Sequence, residues 1–154
     1  MFKIFVDADS CPVKSEIIKV AERHKITVYI VSNGGLRPNS HHLVKNIYVS
    51  EGLDIADNWI EKKITSSDFL ITADIPLASK CIKKNVTVLG HKGEIYNNNN
   101  IQGKLATRNL MNELRSSNPF LKGSNKIFTN NDRSKFMNSF EKSIQLKIKK
   151  LSLL

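Results

Sequence analysis

The chain has 154 residues, 40% of them apolar and 25% charged, and a net charge of +10. That is ordinary for a soluble globular protein and enough for one domain with its own core, expected over residues 1–150. No apolar stretch approaches the ~20 residues a membrane helix needs, and Asp7 stops the apolar run of residues 2–6 too early for a secretory leader. Cys11 and Cys81 lack metal-type spacing, which points to reduced thiols and a cytoplasmic setting.

Residues 2–6 read as a buried strand. Pro12 suits the first turn of a helix carrying Val13, Ile17, Ile18 and Ala21 at helical spacing, with Ser10 or Cys11 before it. Residues 26–31 form a second, β-branched strand, broken by Ser32-Asn33-Gly34-Gly35. A short strand at 47–49 follows the His41-His42 region. A helix over 54–64, a strand at 69–71, a helix over 75–84 and a strand at 86–89 come next. This alternation predicts a three-layer α/β/α sandwich with a mainly parallel sheet. Residues 90–100 read as polar loop, and 101–116 as a helix with Leu105, Leu110, Met111 and Leu114. Residues 118–132 read as a second loop, and 133–150 as a basic closing helix using Phe136, Phe140, Ile144 and Ile148.

Charge is divided unevenly along this order. Residues 1–100 carry 13 Lys/Arg against 11 Asp/Glu, net +2, whereas residues 101–154 carry 11 against 3, net +8. A basic C-terminal third points to a polyanionic partner such as RNA, or to charge kept for solubility.

The acids fall at one kind of place. Asp7 and Asp9 follow the first strand, and in extended chain residues two apart point the same way. Both then face the crevice at the carboxyl end of the sheet, where open α/β sheets bind ligands. Asp54, Asp57 and Glu61 share one helix face, and Asp74 follows the strand ending near Thr72. Capping explains Asp9 or Asp74 separately, and a solvated face or a helix dipole explains Asp54 and Asp57. Taken together, like charges on one sheet edge suit a hard cation, Mg²⁺ or Mn²⁺, and a metal site of that kind can act on a phosphodiester.

The strings Asp7-Ala8-Asp9-Ser10-Cys11-Pro12-Val13-Lys14, Asp54-Ile55-Ala56-Asp57-Asn58-Trp59-Ile60 and Ile71-Thr72-Ala73-Asp74-Ile75-Pro76-Leu77-Ala78 resemble the YaiI/YqxD family. Arg108-Asn109-Leu110-Met111 and Asp132-Arg133-Ser134-Lys135-Phe136 extend the likeness over nearly the whole chain. That family is similar to PIN-like domains, which are metal-dependent ribonucleases. The resemblance implies a metal role for Asp7, for an acid of the 54–57 helix start and for Asp74, with Thr72 matching the Ser/Thr two residues before the late acid.

The expectation is a Mg²⁺- or Mn²⁺-dependent phosphodiesterase acting on RNA. Asp7, Asp9, Asp57 and Asp74 are its ligands, with Asp54 as alternate. Ser10, Thr72 and Asn33 stand around them, Asn33 having a turn role as its alternative. Arg108, Arg115, Lys122 and Arg133 would hold backbone phosphate. Two other readings remain. One is a haloacid-dehalogenase-like phosphatase with Asp7 as nucleophile and Asp9 as acid/base. Against it, Pro12 leaves no room for a flap, and no late Gly-Asp-x-x-x-Asp string is present. The other is a metal- and RNA-binding module without turnover. His41 and His42 are expected to diverge in an exposed loop, with His24 and His91 at the surface.

Overall fold

The structure is a computed structural model and describes residues 1–118 and 127–154. Among the described residues six strands form one sheet: β1 (Ile4–Asp7), β2 (Val28–Ser32), β3 (Val44–Tyr48), β4 (Phe69–Ile71), β5 (Thr87–Leu89) and β6 (Ile95–Tyr96). The helices among the described residues are α1 (Lys14–His24), α2 (Ile55–Lys63), α3 (Ile75–Lys83), α4 (Ile101–Ser117) and α5 (Asn130–Ser152). The strand order is β3-β2-β1-β4-β5-β6, parallel except for the antiparallel β5–β6 pair.

Strand alternation divides the core between the two faces of the sheet. Ile4, Val6, Val28 and Ile30 pack against Ile17 and Val20 of α1 and against Phe136, Phe140 and Ile144 of α5. Phe5, Val31, Leu70 and Val88 turn the other way, onto Ala56 and Ile60 of α2 and Leu77, Ala78 and Cys81 of α3. The three-layer α/β/α arrangement is therefore as expected. The chain leaves β1 toward β2 and β3, then returns to β4 on the opposite side of β1. That reversal opens a crevice between β1 and β4 at their carboxyl ends, the place where such sheets bind ligands.

Several local readings change. Residues 90–100 are not all loop, because Ile95 and Tyr96 pair with Leu89 and Val88. β3 starts at Val44 rather than residue 47, since its polar Lys45 and Asn46 hid three paired residues. α5 begins at Asn130 rather than 133, held by a capping box in which Thr129 and Asp132 bond each other's backbone N–H. α4 buries only Ile101, and Leu110, Met111 and Leu114 are exposed. His41 and His42 do not diverge; their rings stack with centroids 4.6 Å apart. His24 is not a free surface residue, because its Nε2 lies 3.0 Å from Glu141. Cys11 and Cys81 are buried free thiols, and burial pushes both up to about 11. Among the described residues no helix is long and apolar enough to cross a membrane.

Candidate metal centre

Three elements deliver carboxylates to the β1–β4 crevice. Asp7 is the last residue of β1 and lies on the α2/α3 side, in alternation with Phe5. Asp74 caps α3, its Oδ1 accepting from Leu77 N at 3.0 Å, with Pro76 in the first turn. Asp57 stands in the first turn of α2. Carboxylate oxygens of Asp7, Asp57 and Asp74 all lie within 4.8 Å of one another. Thr72 fixes two of these groups: its Oγ1 donates to Asp7 Oδ2 and accepts from Asp74 N, both at 2.9 Å. Asp74 thus caps α3 and also stands in the carboxylate cluster.

The electrostatics differ from those of a structural acid. Asp68, buried at the opposite end of β4, has its carboxylate satisfied by Lys3 N, Thr65 N and Thr65 Oγ1. Asp7 is instead pushed up to about 6, mainly by burial and further by the charges of Asp74 and Asp9, against the opposing bond from Thr72. Asp57 is pushed up to about 7 by burial, then by Asp74 and Asp7. Burial and mutual repulsion both favour the protonated form of these carboxyls.

These acids line a cavity of about 410 Å³. Asp9, Ser10, Asn33, Asp54 and His91 share its wall. Asp9 is exposed and outside the tight trio, its Oδ2 accepting from Asn33 N at 3.3 Å. Neither Asp9 nor Ser10 caps α1, whose N-cap is Val13; Ser10 makes the turn, at φ 62°. Asp54 precedes α2 in a left-handed conformation with no capping bond, which leaves its carboxylate exposed at the rim. Glu61 lies apart, 3.8 Å from Lys80.

Two polar atoms in this wall are buried without a hydrogen-bond partner among the described residues: Asn33 Oδ1 and His91 Nε2. Unsatisfied buried polar atoms are rare and call for a water, ion or ligand. Burial holds His91 below its ordinary pKa, so its imidazole is neutral at pH 7. Sequence reasoning put His91 at the surface. The available signal was its position two residues beyond β5, on the edge that carries Asp9 and Asp74. Three hard carboxylates, an amide oxygen and a neutral imidazole fit a divalent cation and its water shell.

None of the basic candidates lines the acidic cavity itself. Arg108 lines an open groove of about 640 Å³ that runs past Ile75, next to Asp74. Arg115 follows seven residues along the same face of α4. Arg133, in the first turn of α5, donates to the carbonyl of Pro12 and lies 3.4 Å from Glu16. Lys122 falls outside the described residues.

Fold and site together define an α/β protein with a carboxylate centre at the switch point of a mainly parallel sheet. The chain belongs to the YaiI/YqxD family: the model described as "Uncharacterized BCR, YaiI/YqxD family" matches residues 5–146. UPF0178 protein RD1_0321 of Roseobacter denitrificans is 46% identical over 145 residues, 94% of this chain and 96% of that protein. A UPF0178 protein of Parvibaculum lavamentivorans is 48% identical, covering 94% and 95%. UPF0178 protein Atu1478 of Agrobacterium fabrum is 45% identical over 140 residues, 91% of each chain. No solved structure matches the chain.

Proposed function

We propose that this protein is a Mg²⁺- or Mn²⁺-dependent phosphodiesterase of PIN-like type that cleaves single-stranded RNA. The observation that carries the reading is the Asp7–Asp57–Asp74 trio in the crevice between β1 and β4, where burial first and the neighbouring carboxylates second raise Asp7 and Asp57. Asp7, Asp57 and Asp74 would hold the cation, with Asp9 and Asp54 close enough in the wall to join through water. A bound divalent cation supplies neutralisation of these acids and polarisation of a phosphoryl oxygen and the attacking water.

This chain's residues do the rest. Thr72 holds Asp7 and the start of α3 in one orientation, so the acids converge before substrate arrives. Asn33 Oδ1 can accept a hydrogen bond from the attacking water and orient it, since it has no other partner among the described residues. Neutral His91 adds no charge to the pocket and offers Nε2 as donor or acceptor. Water oxygen bonds to phosphorus, the P–O bond to the leaving nucleotide breaks, and the water's proton ends on that leaving oxygen or in solvent. The phosphatase reading loses ground, because β1 ends at Asp7 and α1 begins at Lys14, with no flap between them.

Labelled single-stranded RNA incubated with the purified chain and Mn²⁺ tests the proposal: metal-dependent cleavage is expected. Salt-sensitive binding without cleavage would favour a binding module, and turnover of a generic phosphate monoester alone would favour a phosphatase. RNA affinity is also expected to fall with salt. Each phosphate neutralised adds about −0.7 to the slope of log affinity against log salt, so three or four contacts give roughly −2 to −3. Arg108→Ala with Arg115→Ala should flatten that slope by about 1.4 and weaken binding across sequences alike. An unchanged slope would remove α4 from the interface.

A further inference from the structure

A second cavity, of about 420 Å³, opens on the other face of the same sheet edge, between α1, β2, β3 and residues 33–39. Strand alternation separates it from the acidic pocket. Asp7 and Asn33 turn one way, whereas Ser32, Asn46 and Tyr48 turn the other, and the pairs Ser10–Cys11 and Ser32–Asn33 form the divide.

The two cavities carry opposite charge. Lys14, Arg37 and Arg133 line the second one, and no carboxylate does. Arg133 is engaged by Glu16, but Lys14 and Arg37 make no ion pair among the described residues. α1 begins here with Val13 as N-cap and no side-chain cap, so its first-turn N–H groups, at the lining residues Lys14 and Ser15, are left uncapped beside the cavity. A third, independent feature is Ser32. It is only 1% exposed, lines this cavity, and its hydroxyl has no hydrogen-bond partner among the described residues. Two cations, uncapped helical N–H groups and an unpaired buried hydroxyl together make an anion site. Its floor is apolar, formed by Ile18, Ile30 and Leu36, and the half-exposed ring of Tyr48 stands at the rim.

We propose that this cavity binds one nucleotide of an RNA strand, the phosphate at Lys14, Arg37 and the α1 start and the base on Tyr48 and the apolar floor. The inference rests on the phosphodiesterase reading for its substrate: a neighbouring phosphate of the same strand crosses the Ser10–Ser32 divide into the acidic pocket. A cationic cavity beside an anionic one fixes the strand's register, because phosphate enters the first unaided and the second only with metal.

The test is a calorimetric titration in excess chelator, comparing a nucleoside 5′-monophosphate with inorganic phosphate. Without metal the acids repel either anion, so binding reports the cationic cavity. The nucleotide is expected to bind about tenfold more tightly than phosphate, the increment expected of one stacked base. Tyr48→Ala should erase that difference. Lys14→Ala with Arg37→Ala should weaken both ligands at least about tenfold, since charge-assisted contacts to phosphate are the strong ones. Asp74→Asn should not weaken either. Equal affinities for nucleotide and phosphate, or binding indifferent to Lys14→Ala and Arg37→Ala, would overturn the assignment. Failure to bind Mn²⁺ in a separate titration would sink the phosphodiesterase reading alone, since chelator removes metal from this measurement.

Discussion

Asp7→Asn is expected to lower metal-dependent RNA cleavage at least about a hundredfold, because losing even an outer partner of a metal ligand costs 10–100-fold. The substitution is mild toward the fold. Asp7 Oδ2 accepts one hydrogen bond, from Thr72, and an asparagine side-chain oxygen can accept it in the same place. What disappears is a charge in contact with Asp57 and Asp74. The metal-free variant should therefore melt no lower than metal-free wild type, while Mn²⁺ should raise the melting temperature of wild type only. RNA affinity at fixed salt should change little, since the basic residues that would contact phosphate lie elsewhere. Asp74→Asn should behave alike, because asparagine is as good an N-cap as aspartate and can keep the bond from Leu77 N. The variant also controls for contamination: equal cleavage by wild type and Asp7→Asn would mean the activity belongs to another protein. Strong destabilisation by both substitutions with metal binding unchanged would reduce the acids to caps.

Much of this was legible because buried parallel strands leave continuous apolar runs and each helix between them carries its own period. Asp7, Asp57 and Asp74 could be read from position alone, at strand ends and helix starts on one edge. What the sequence could not rank was the acids among themselves. Asp9 faces the same side as Asp7 but lies one turn of chain further out, where it receives Asn33 N instead of joining the trio. Glu61 shares a face with Asp57 yet sits too far along α2, and meets Lys80. β6 was hidden because two apolar residues in a polar stretch become a strand only by pairing with Val88 and Leu89. His91 was missed for a related reason: its place in the wall of the acidic cavity depends on the tertiary fold, and a lone histidine after a strand carries no sign of it. α4 reads as amphipathic, but periodicity cannot say whether its apolar face meets this chain, and only Ile101 is buried.

In chelator, the wild-type protein is expected to gain stability relative to Asp7→Asn as the pH falls from 8 to 5, and in Mn²⁺ to lose it. The carboxyl of Asp7 titrates near 6 and that of Asp57 near 7 in the folded chain, against about 4 when unfolded. Between those limits the native state binds more protons than the unfolded one, so its stability falls as pH rises. The penalty is absent below about 4 and complete above about 7. For Asp7 the shift caps it near 3 kcal/mol, and solvent at the cavity mouth leaves about 1–2 kcal/mol. That corresponds to roughly 3–6 °C in melting temperature for a chain of this size. Other groups run the opposite way. Burial holds His91 below its ordinary pKa, and bonds from His24 and Arg23 hold Glu141 down against its own burial, so acidification costs stability at both. The difference between wild type and Asp7→Asn cancels those terms, which is why it is the quantity to measure. Metal reverses the sign because protons then compete with the cation for the same oxygens, and stabilisation by a ligand grows as its apparent affinity rises with pH. Thermal melts of both proteins at pH 5, 6, 7 and 8, with chelator and with Mn²⁺, decide the matter. A wild-type-minus-variant difference that stays flat with pH in chelator would mean that the three carboxylates do not crowd one another, and the metal centre would lose its physical basis.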